Sequence, residues 1–156
     1  MTIPSYTWKK PRGGRRKDPI NLVFSNSTLK KILRKFDKSG WHFRDDFLDL
    51  VSTQYTPDSP PRNPQDAQRL NGPFWKRYHV RIWNHEKNSF VGSVHYERFT
   101  ITRGHDPFNF EAGKDKVVEN FQGDSWKIQK DKHALGNYNR EKYCNGMATE
   151  IKEKKS

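Results

Sequence analysis

Two periodicities run through this chain. Leu29, Ile32, Leu33 and Phe36 recur at i, i+3, i+4 and i+7, the spacing of one helix face. Ser25, Asn26 and Ser27 offer capping oxygens ahead of that helix, and Gly40 suits the left-handed position after it. Lys30, Lys31, Arg34, Lys35 and Lys38 lie off the stripe and read as a solvated face, with an anion-binding surface as the alternative. Val117, Val118 and Phe121 predict a second helix over about residues 111–122, stopped by Gly123, although Gly113 weakens its first turn. The other period is two. Residues 77–83 (RYHVRIW) and 92–98 (GSVHYER) alternate around a polar loop at 84–88 and predict a β-hairpin over roughly 76–85 and 89–102. With that loop centred on Lys87, His79 falls opposite His95 and Arg81 opposite Ser93, all on one face. Apolar runs at residues 20–24 and 126–128 predict two more strands.

The resulting order is strand, helix, strand, strand, helix, strand. It predicts a single α+β domain over residues 18–130, an antiparallel sheet with two helices in ferredoxin-like (split βαβ) order. Helices on one face would leave the other for a ligand, a partner or a long loop. Residues 52–75 hold five of the nine prolines and read as an irregular connection, with one helical turn at 66–70. Residues 1–17 read as a flexible basic arm. Residues 131–156 read as a polar tail that docks locally through Leu135, Tyr138 and Tyr143.

Composition changes this picture in two ways. Of the 156 residues 31% are hydrophobic and 13% aromatic, so the core is small and rich in rings. The net charge is +12, a nucleic-acid or membrane-surface signal, but the ends carry most of it. Residues 1–17 hold six basic and no acidic residues, and residues 127–156 hold eight basic and four acidic. Cys144 is the sole cysteine, which rules out an intramolecular disulfide. No apolar run reaches the ~18–20 residues that span a bilayer, and no apolar segment follows the basic start, so the expectation is a soluble, cytoplasmic protein.

The candidate chemistry centres on histidine. His79, His95 and His105, with Asp106, Glu97 or Glu111 as oxygen donor, are sufficient in type to hold a divalent metal. A His-Glu-x-x-His helix and a cysteine pair are both missing, so spacing adds little. Hydrogen-bonded sheet histidines and acid–base chemistry are the alternatives. Arg81 can fork two hydrogen bonds onto a phosphate or carboxylate, or pair with Glu97 or Glu86. No nucleophile elbow or phosphate-binding glycine loop is present, and Cys144 reads as an incidental thiol. Arg12, Arg15, Arg16 and Lys17 can contact nucleic-acid phosphates without reading sequence, and Trp83, Phe90 and Tyr96 can stack on bases from an open sheet face.

Several of these segments together resemble the LssY C-terminal domain family over residues 18–126. They are Asp18-Pro19-Ile20-Asn21-Leu22-Val23-Phe24, a helix ending at Gly40-Trp41, the 77–83 strand, Val91-Gly92-Ser93 and His105-Asp106-Pro107. In that family the domain often follows membrane segments resembling a type-2 phosphatidic-acid phosphatase, and it also occurs alone. The catalytic motifs of that phosphatase are absent here, so the resemblance implies no reaction. It places His79 and Arg81 on the family's strand motif, and His105, Asp106 and Pro107 on its later one. The expectation is a domain that binds an anionic, phosphate-bearing ligand through His79, Arg81, His95 and His105, with a divalent metal and any catalysis left open. A non-enzymatic nucleic-acid-binding accessory protein and a protein-interaction scaffold are the alternatives.

Overall fold

A computed structural model describes residues 3–9, 15–43, 54–55 and 67–155 of the chain. In chain order the elements are β1 (Tyr6–Lys9), β2 (Arg15–Pro19), β3 (Leu22–Ser25), α1 (Leu29–Lys38), β4 (Gln54–Tyr55), β5 (Ala67–Asn71), β6 (Lys76–Glu86), β7 (Ser89–Thr100), β8 (Gly104–Asn109), α2 (Phe110–Phe121), β9 (Trp126–Ala134) and β10 (Met147–Glu153). The protein is α+β. Among the described residues the strands form a small sheet, β2-β1-β4, and a seven-stranded sheet in the order β5-β6-β7-β3-β10-β9, with β8 also on β7.

The hairpin β6–β7 organises the large sheet. His79 pairs with His95 and Arg81 with Ser93, the register expected from the alternation. The turn itself is Lys87-Asn88, with Asn88 in the left-handed region at φ 57°. A bulge between Asn84 and Glu86 absorbs one residue, so the register stays centred on Lys87. β7 outruns its neighbours. Its first half pairs with β3 and its second half with β8. Asn21 fills the junction: its Nδ2 donates to the Val94 carbonyl (2.8 Å), and its Oδ1 accepts from the Val94 N–H (2.9 Å).

Helices α1 and α2 cover one face. Ile32, Phe36, Val117 and Phe121 bury against Phe24, Val80, Ile82 and Val94 from the sheet. Phe36, Phe121 and Trp126 meet edge to face, with ring centroids about 5 Å apart. Thr28, one residue beyond the expected capping run, caps α1 by accepting from the Lys31 N–H. Gly113 has a definite purpose. A Cβ there would stand 2.7 Å from both N and Cα of His95, so glycine lets α2 lie directly on β7.

Four expectations need correction. Four-stranded ferredoxin-like order does not describe this sheet: β10 stands between β3 and β9, parallel to β3. Residues 131–156 are therefore no tail, because β10 lies inside the sheet. Its Glu150 looks polar in sequence but is buried beside Lys132 and His133, and the Thr149 hydroxyl accepts from the Asp131 N–H. Part of the 1–17 arm is ordered as β1 and β2, since main-chain ladders form whatever the side-chain charge. Within 52–75, residues 67–71 form edge strand β5 on β6 instead of a helical turn, and residues 54–55 pair with β1. The rest of that loop before Ala67, and most of residues 41–50, lie outside the described residues.

Candidate metal centre

Alternate residues of β6 and β7 point away from the helices. On that face stand Arg77, His79 and Arg81 of β6 and Ser93, His95 and Glu97 of β7, all buried. Strand pairing sets Arg77 against Glu97, His79 against His95 and Arg81 against Ser93. β5 adds Gln68, and the segment entering β3 brings the buried Asp18 and the Pro19 carbonyl, which accepts from Ser93 Oγ at 2.7 Å. Beyond Ser93 the face turns apolar, where Trp83 and Val91 pack under Ile3, Ile20 and Leu135.

Glu97 is the hub. Its Oε1 lies 3.2 Å from Arg77 Nε, 3.1 Å from His79 Nδ1 and 4.0 Å from His95 Nε2, and its Oε2 lies 3.7 Å from His105 Nδ1. The other nitrogen of His79, Nε2, is 2.8 Å from Gln68 Oε1. Each nitrogen of the His79 ring thus faces an oxygen, Gln68 Oε1 on one side and Glu97 Oε1 on the other, and which of them carries the proton depends on the tautomer. A metal ion bound at Nδ1 would leave the proton on Nε2, where Gln68 Oε1 accepts it.

His95 is held neutral. Burial drives its pKa down to about 3, with the His79 and Arg81 charges adding to the effect and the Asp18 and Glu97 carboxylates opposing it. Among the described residues its Nδ1 has no hydrogen-bond partner. Its ring packs edge-on against His79 at 5.4 Å and Phe110 at 5.2 Å. A buried imidazole that is neutral and has an uncommitted nitrogen is in the state that binds metals.

The ligand atoms of His79, His95 and Glu97 all lie within 4.8 Å of one another. A tetrahedral zinc-type ion with bonds of about 2.0–2.1 Å sets its ligands about 3.4 Å apart. The two histidine-to-Glu97 distances of 3.1 and 4.0 Å bracket that value. His105 stands at the open end, its side chain 21% exposed and its ring between Phe74 and Phe99.

The fold thus unites His79, His95, Glu97 and, at the margin, His105, with Arg81 on the same face. Two of the candidate oxygen donors go elsewhere. Asp106 turns to Arg103 at 3.8 Å, because alternation along β8 sets it away from its neighbour His105. Glu111 lies 2.9 Å from Lys114 Nζ, in a separate cluster. There the fully buried Lys114 ammonium also meets Asp131 Oδ1 (2.7 Å), Asn145 Oδ1 (3.0 Å) and the Met147 carbonyl (3.2 Å). Of the basic-arm candidates, Arg12 lies outside the described residues, and Arg15, Arg16 and Lys17 belong to β2 by backbone.

Sequence reasoning missed Arg77, Gln68 and Asp18. Arg77 was within reach, since it sits two residues from His79 and must share its face. Gln68 was hidden by the loop reading of β5, and Asp18 arrives from a different sheet. Two surface clefts, one of about 340 Å³ lined in part by Lys31, Arg34, Lys35 and Lys38, lie away from the histidines. No helix among the described residues is long and apolar enough to cross a membrane. No protein-family model, curated protein or solved structure matches this chain.

Proposed function

We propose that this domain binds a divalent transition-metal ion of the zinc class through His79, His95 and Glu97, with His105 as the ligand on the solvent side. One observation carries the reading. Three donor residues from two adjacent strands bring their ligand atoms within 4.8 Å of one another, and one of them is a neutral buried imidazole. Gln68 serves as the outer partner that fixes the His79 tautomer, a common arrangement around histidine ligands. Arg77 donates to the same Glu97 Oε1 that faces His79 and His95, while Oε2 faces His105. An anionic ligand on this face is favoured less, because Glu97 already places a carboxylate against Arg77 and His79. The resemblance to the LssY C-terminal domain family stays part of the proposal, since His79, Arg81 and His105 of its motifs lie on or beside this face.

Metal analysis tests the site. Full-length protein purified without chelator is expected to carry about one zinc-class ion per chain. Cobalt(II) added after stripping should give the visible absorption of a low-coordinate nitrogen–oxygen site. A folded His79→Ala/His95→Leu double variant that still holds one ion per chain would reject the assignment.

A second reading has its own observation. Lys31, Arg34, Lys35 and Lys38 line one cleft, where Lys31 pairs with Glu153. That cleft is the better place on this protein for a phosphate-bearing ligand. Saturable phosphate binding that an Arg34→Ala/Lys38→Ala variant loses would support it.

A further inference from the structure

Two neighbouring turns at the far end of the β6–β7 hairpin expose large apolar side chains. Before β6, Phe74 is 48% and Trp75 64% exposed. At the end of β7 Phe99 is 40% exposed, and in the turn after it Ile101 is 97% exposed. The turns form one unit. The Phe99 N–H donates to the Trp75 carbonyl at 2.9 Å, and the Phe74 and Phe99 rings stack at a tilt with centroids 4.7 Å apart. Single exposed apolar residues are ordinary, but four converging on paired tips are not.

Cations ring the tips. Lys76 and Arg98 face each other across the strand pair and are exposed, and the Arg103 side chain is 75% exposed. Asp106, 3.8 Å from Arg103, is the carboxylate close by. We propose that these paired tips dock the protein on an anionic lipid bilayer. Trp75, Phe74 and Ile101 would enter the headgroup–acyl boundary, and Lys76, Arg98 and Arg103 would meet lipid phosphates. Amphipathic rings favour that boundary, and basic side chains gain from the negative surface beneath them. Ile101 decides between a bilayer and a nucleic acid. A branched aliphatic side chain at the outermost point has no face to stack on a base. The Phe74 and Phe99 rings are already engaged with each other and with His105, and offer no open parallel platform. This docking is independent of metal at the histidine cluster.

The test uses the full chain and sonicated vesicles of phosphatidylcholine, with or without 30 mole per cent phosphatidylserine, at about physiological salt. Sedimentation is expected to show binding to the anionic vesicles, and a Trp75→Ala/Ile101→Asn variant should lose tenfold or more in affinity. Neither change alters charge, so attraction through the basic ends stays constant. Both residues are exposed, so thermal melts should coincide. Acyl chains brominated near the headgroup should quench wild-type emission more than that of Trp75→Phe. Equal vesicle affinity of wild type and the double variant, or equal quenching with and without Trp75, would overturn the proposal. So would a variant that keeps its vesicle affinity but loses binding to a single-stranded oligonucleotide.

Discussion

β6 and β7 present two buried faces, one residue out of step. On the helix side Val80, Ile82 and Val94 meet Ile32, Phe36 and Phe121. On the other side Arg77, His79, Arg81, His95 and Glu97 are just as inaccessible. In most antiparallel sheets this alternation separates core from solvent. Here it separates a hydrocarbon core from a polar one. The first is held by many small, non-directional contacts, so each ring contributes through area and fit. The second has few members, and one carboxylate, Glu97, meets Arg77 and three histidines. Stability on the polar side should therefore be concentrated in Glu97, while on the helix side it is spread over the rings.

The largest effect tests the apolar side. Phe121 is fully buried and touches the rings of Phe24, Phe36 and Trp126. Phe121→Ala should cost about 3–5 kcal/mol in urea unfolding. Folded protein should still bind metal as wild type does, because the ring lies on the opposite face from the histidines. A loss of metal from the folded variant would show that the two faces are not separable.

Glu97→Gln comes next. The shape stays, but Arg77 and the histidines lose a charge-assisted acceptor, at an expected cost of about 2–3 kcal/mol. Metal stoichiometry should fall with it. The double change Arg77→Met/Glu97→Leu should recover most of that stability, since it removes both buried charges together. Recovery of stability without recovery of metal would separate the polar core's structural role from its binding role.

This division explains what could be read in advance. Period-two alternation told which residues share a face, and the bulge at the hairpin end preserved the anticipated pairing of His79 with His95. The α1 stripe was equally plain, because its apolar spacing has one interpretation. β10 was not, because its polar residues are buried by partners from elsewhere in the chain, Glu150 by Lys132 and His133. Burial of that kind leaves no apolar mark. β5 was concealed by a proline-rich approach, and with it Gln68. Gly113 looked like a weakness in α2 when taken alone. Only the strand beneath it shows why a side chain is excluded there. Nothing in the order of residues indicated that the second face would be closed, since the groups closing it, Asp18, Ile20, Gln68 and Leu135 among them, come from distant parts of the chain.

The smallest effect contrasts Glu97 with two carboxylates paired elsewhere in the fold, Asp131 and Glu150. Burial alone would push the Asp131 and Glu150 carboxyls up, yet both end below their ordinary values of 3.8 and 4.5. Hydrogen bonds from Lys114 and Asn145 to Asp131, and from His133 and Lys132 to Glu150, outweigh the burial. A carboxyl held low in the folded state adds stability that is fully present above its ordinary pKa. That stability is lost as pH falls through 4.5 and 3.8 toward the folded-state values. Each group should contribute about 1 kcal/mol or less. The check is the difference in urea midpoint between wild type and Asp131→Asn/Glu150→Gln, with chelator present. It should shrink as pH falls below 4.5. His95, with a pKa of about 3, starts to lose its contribution as pH drops below 6.5, but it does so in both proteins and cancels in the difference. A difference that stays constant to pH 3 would mean that these carboxylates gain nothing from their partners, and that the charge pairs of Asp131 and Glu150 do not stabilise this fold.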